Sequence, residues 1–104
     1  MRNKALIVIT VILAITIVPA FAADGPALFK TKCSSCHGVD GKAQTAVGKS
    51  LKIGDFSSAE FQKLTDAEIT KIIEDGKGKM PSYKGKLTAD EIGALVKTLR
   101  SFKK

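Results

Sequence analysis

Cys33-Ser34-Ser35-Cys36-His37 constrains this chain more than any other stretch. At about 100° per residue, a helix sets Cys36 roughly 60° from Cys33 and His37 roughly 40° to its other side, so the three side chains share one face. Two thiols and an imidazole on a single turn suit covalent attachment of a c-type haem. Each thiol adds to a vinyl group as a thioether, and the imidazole reaches the iron.

Two other chemistries use a Cys-x-x-Cys spacing. A redox dithiol or disulfide of the thioredoxin kind needs the pair at a strand-to-helix junction, and no strand pattern precedes Cys33. Zinc needs four ligands in a structural site or three in a catalytic one, so Cys33, Cys36 and His37 would have to recruit a carboxylate or a water. Haem is the reading the spacing favours, with both competitors open to test.

Residues 1–22 read as a secretory signal peptide. Arg2 and Lys4 give a positive start, residues 5–18 an apolar run, and Pro19 a helix break. Ala20-Phe21-Ala22 has the small-x-small pattern of a cleavage site, so the expected domain is residues 23–104. The apolar run is short for a membrane span, and an uncleaved anchor is the alternative. The absence of a twin arginine implies export of an unfolded chain, here to the periplasm.

Cleavage takes 22 of 104 residues and two of the 17 basic ones, leaving 82 residues with 15 basic against 10 acidic side chains, a formal charge of +5. A domain this small buries a modest apolar core and gains from a cofactor that fills it. An excess of positive charge on an exported protein points to acidic protein partners rather than nucleic acid.

Asp24 caps a first helix with Pro26 in its first turn, and Gly25 and Phe29, four apart, share a face suited to close packing on another helix. Residues 38–56 show no sustained period and read as a loop lying on the haem, with Val47, Leu51, Ile53 and Phe56 as its contacts. Three capping boxes follow. Ser57 with Glu60 opens a short helix, Thr65 with Glu68 opens one carrying Ile69, Ile72 and Ile73, and Thr88 with Glu91 opens the last. That last helix puts Ile92, Leu95, Val96, Leu99 and Phe102 on one face; Gly93 inside it either permits a close crossing or is simply tolerated.

Met80 is the one methionine outside the signal segment, in a glycine-rich stretch with Pro81 and Tyr83. If the iron takes a sixth ligand from the chain, its thioether is the soft donor left, with water or a lysine amine as alternatives. Lys77, Lys79, Lys84 and Lys86 flank it and would form a positive rim able to steer acidic partners.

Together these residues resemble the class I cytochrome c family, the small single-haem carriers, and most of all its bacterial periplasmic members. The resemblance spans nearly all of residues 23–104. It rests on Gly25 and Phe29, on residues 33–37 with Gly38, on Met80 and Pro81 with Tyr83, and on the amphipathic last helix. It implies an all-α fold whose first and last helices cross, with one haem c held covalently by Cys33 and Cys36 and ligated by His37 and Met80. It also implies a monomeric electron carrier between redox partners, with no catalytic residue. A haem enzyme or a gas- or peroxide-binding sensor with an open sixth position is the alternative.

Two departures stand out. Many members have a proline after the motif whose carbonyl accepts the second N–H of the proximal histidine, yet no proline lies between Pro26 and Pro81. Many also carry an aromatic near position 98, where this chain has Thr98, so Leu95, Leu99 or Phe102 is expected to meet Gly25 and Phe29.

Overall fold

In the computed structural model, residues 11–14 and 23–104 are described, so the expected signal segment lies outside the described residues except for positions 11–14. Six helices follow one another: α1 (Gly25–Lys32), α2 (Ser34–His37), α3 (Ala46–Ser50), α4 (Ala59–Gln62), α5 (Asp66–Asp75) and α6 (Ala89–Ser101). Among the described residues there is no strand, only isolated bridges between Lys77 and Met80 and between Lys84 and Leu87. The all-α expectation is met. No described helix is long and apolar enough to cross a membrane.

The helix starts follow local chemistry. Asp24 accepts the Ala27 N–H at 3.1 Å ahead of α1. Thr65 and Thr88 head complete capping boxes, each accepting from the N3 backbone while Glu68 and Glu91 reach back to the cap N–H. The box read at Ser57 is displaced by one residue: Ser58 caps α4, because Asp55 engages both the N–H and the hydroxyl of Ser57.

The core forms where α1 and α5 pack on α6, through Phe29, Ile69, Ile73, Ile92, Leu95, Val96 and Leu99. Gly25 is what lets α1 approach, since a Cβ there would overlap the Thr98 hydroxyl and the Ala94 carbonyl. Thr98 thus faces Gly25 itself, and Phe102 reaches Phe29 at a ring-centroid distance of 5.2 Å. Gly93 faces open space, so it is the tolerated glycine of the two.

Residues 38–56 are not all loop. Thr45 caps α3, accepting from Gly48 N–H at 2.9 Å while its hydroxyl donates to the Cys36 carbonyl at 2.7 Å. That second bond fastens α3 to the end of α2.

A candidate haem pocket

One helical turn supplies three of the expected site residues. Cys33 ends α1, α2 carries Cys36 and His37, and all three border a single cavity of about 320 Å³. Cofactor pockets run from roughly 300 to 1,000 Å³, so the space suits a small rigid group. The remaining wall is apolar, drawn from Phe56, Phe61, Leu64, Ile69 and Ile73 with Met80 and Tyr83. A side chamber of about 30 Å³ reaches from Met80 and His37 in to Phe29 and Leu95.

Met80 reaches the same cavity from the loop after α5. Gly76 ends that helix with φ +76°, and a Cβ there would meet the Met80 carbonyl, so glycine is needed for the turn. Lys77 and Met80 exchange backbone hydrogen bonds at 3.0 and 3.2 Å. Tyr83 N–H donates to the Ile73 carbonyl and Lys84 N–H to the Glu74 carbonyl, both at 3.1 Å, which ties the loop back onto α5. The Tyr83 hydroxyl donates to the Lys32 carbonyl at 3.0 Å, joining the loop to α1. Burial raises the Tyr83 pKa, with the two cysteines adding to it, so the phenol keeps the proton it donates.

The electrostatics separate the candidate chemistries. Burial, helped by Cys36, pushes the Cys33 thiol up to about 11, whereas a redox or nucleophilic cysteine needs its thiolate stabilised. Among the described residues no three His, Cys, Asp or Glu side chains converge as a metal ion would require. Burial lowers the His37 pKa and keeps the imidazole neutral, the form that binds a metal. Its Nδ1 is buried without a hydrogen-bond partner among the described residues, and the residue lines the cavity. Two thiols, a neutral imidazole and a thioether around an apolar space fit a haem.

Of the expected loop contacts, Leu51, Ile53 and Phe56 line the cavity and Val47 does not, since α3 turns it to solvent. Lys77 and Lys79 border the opening as expected; Lys84 and Lys86 lie beyond it, and Lys32 joins from the end of α1. Phe61, Leu64 and Thr45 were not singled out from the sequence. The signal for Thr45 was weak, because Gly48 stands where a capping box would carry Glu or Gln.

A small helical domain with a Cys-x-x-Cys-His turn on an apolar cavity has the form of a c-type cytochrome, and comparison with known proteins agrees. Residues 20–97 match the family described as cytochrome c oxidase, cbb3-type, subunit III. Cytochrome c6 of Microcystis aeruginosa is 33% identical over 72 residues, covering 69% of this chain and 85% of that protein. The solved c-type cytochrome KustC0563 is 42% identical, with a TM-score of 0.73 over 78% of this chain and 99% of its own. Cytochrome c6C of Synechococcus sp. PCC 7002 is 25% identical, with a TM-score of 0.59 over 75% of this chain and 92% of its own. The chain belongs to the class I cytochrome c family, for which a covalently bound haem c is the defining cofactor.

Proposed function

We propose that residues 23–104 are a periplasmic, monomeric single-electron carrier with one haem c, released from a signal peptide cleaved after Ala22. The observation that carries the reading is the shared apolar cavity that brings the thiols of Cys33 and Cys36, the His37 imidazole and the Met80 thioether together. Cys33 and Cys36 would hold the haem through two thioethers, and His37 and Met80 would ligate its iron. Bound there, haem supplies a one-electron ferric/ferrous couple.

With His37 and Met80 both ligating, the iron would offer no position to a substrate, which favours transfer of an electron over catalysis. The Met80 thioether stabilises the ferrous state, and the apolar wall disfavours the additional charge of the ferric one, so both raise the potential. Ile69, Ile73 and Phe56 exclude water from the inner wall. Lys32, Lys77 and Lys79 at the opening attract acidic redox partners into transient complexes.

The test is an absorption spectrum of the exported protein, oxidised and reduced, followed by denaturing extraction. Haem that stays with the chain and a weak far-red ferric band from methionine sulfur are the expected results. Covalent haem without that band, together with rapid carbon monoxide binding to the ferrous form, would move the function to ligand binding or catalysis. A colourless protein with cysteines open to alkylation would overturn the reading.

A further inference from the structure

His37 sits against Phe56 with ring centroids 4.5 Å apart and planes inclined by 24°. Phe56 is itself firmly held. Its N–H donates to the Gly41 carbonyl at 3.0 Å, and its carbonyl accepts from Gln62 Nε2 at 2.7 Å. Its ring is buried between Phe61, at 4.7 Å, and Phe29 and Phe102, each at 6.1 Å. The buried Nδ1 of His37 has no hydrogen-bond partner among the described residues. A metal-bound histidine ordinarily has its plane fixed, and its basicity raised, by a hydrogen bond from that second nitrogen. Among the described residues a different contact is available to hold the plane, and none is available to raise the basicity.

We propose that Phe56 is the positioning residue for His37: stacking against this anchored ring, in place of a hydrogen bond from Nδ1, sets the plane in which the imidazole meets the iron. The inference rests on His37 being an axial ligand. It makes His37 a weaker electron donor than a hydrogen-bonded histidine, which adds to the upward pressure on the potential.

The test uses the haem-loaded protein and the iron-shifted proton signals of the His37 ring in the ferric state. The unsubstituted protein is expected to give one narrow set. Phe56→Leu is expected to broaden or multiply that set and move the potential, and Phe56→Tyr, which keeps the stacked face, to restore both. Phe102→Leu loosens the same cluster away from the imidazole and is expected to lower stability while leaving the His37 signals as they were. A single unaltered set in Phe56→Leu, or equal disturbance by Phe102→Leu, would overturn the inference. A separate measurement needs no substitution: in the diamagnetic ferrous form the His37 Nδ1 proton is expected upfield of an imidazole N–H bonded to a carbonyl, and a downfield, strongly bonded proton sinks the idea. If His37 shows no iron-induced shift at all, the ligand assignment falls and takes this inference with it; iron-shifted signals indifferent to Phe56 remove the inference alone.

Discussion

Gly25 and Gly93 lie in the two helices that meet at the core, and alanine at these positions has opposite expected effects. At Gly25 the methyl would collide with the Ala94 backbone and Thr98, neither of which yields without moving α1. Overpacking of this kind costs about 1–3 kcal/mol. At Gly93 the methyl enters open space in the middle of α6, where alanine gains roughly 0.5–1 kcal/mol. Urea midpoints of the two variants should therefore move in opposite directions. Asp55 offers a pH test at the same scale. The hydroxyl of Ser57, and then its N–H, donate to the carboxylate and hold its pKa below the ordinary 3.8. The folded state therefore binds fewer protons than the unfolded one near that value. The stabilisation is complete above 3.8 and is lost as the pH falls through the lower folded value. Asp55→Asn should flatten the acid limb of a stability-versus-pH curve and leave its slope above about pH 6 unchanged.

The elements that frame the cavity are held by one side chain from α6. Arg100 donates to the Gln62 carbonyl at 3.1 Å and to the Leu64 carbonyl, closing the turn between α4 and α5. It also pairs with Asp66 at 2.9 Å. The carbonyl bonds and the ion pair differ in weight. Removing the donor strands partly buried carbonyls, at about 1–3 kcal/mol, whereas the Asp66 side chain is 72% exposed and an exposed pair is worth less than about 1 kcal/mol. Arg100→Met should accordingly lower the denaturant midpoint several times more than Asp66→Asn. It should also loosen Phe61 and Leu64 at the cavity wall, visible as faster amide exchange across the turn. Most of these elements were legible beforehand. The boxes at Thr65 and Thr88, the stripe of Ile69, Ile72 and Ile73 and the cap at Asp24 are local signals, complete within a few residues. The helix at Ala46–Ser50 was not legible, because its stability comes from the bond between Thr45 and the Cys36 carbonyl, nine positions back. The cap at Ser58 was missed by one residue for a similar reason: Asp55, outside the box, had already engaged Ser57.

For the molecule as a whole, the charge excess and the cavity meet at one face. Lys32, Lys77 and Lys79 converge on the opening from two different elements, while Lys84 and Lys86, close to them in sequence, do not line it. Replacing Lys77 and Lys79 together by glutamate should slow electron transfer to an anionic partner by about tenfold at low salt and flatten its dependence on ionic strength. Stopped-flow rates across a salt series would check this, and unchanged rates would remove the steering role.

Residues 33–37, the three capping threonine and aspartate signals and the apolar stripes needed only neighbours along the chain, so the sequence by itself determined α1, α5 and α6, the Cys-x-x-Cys-His turn and the all-α class. Met80 could be nominated from sequence only because no other methionine lies outside residues 1–22. That it faces the same cavity as His37 depends on the Gly76 turn and the bonds that tie its loop to α5 and α1. Tertiary structure alone decided which residues Gly25 meets, which lysines reach the opening and what lies behind His37. Each of these is a contact between segments far apart in sequence, and no local pattern specifies where such segments come together.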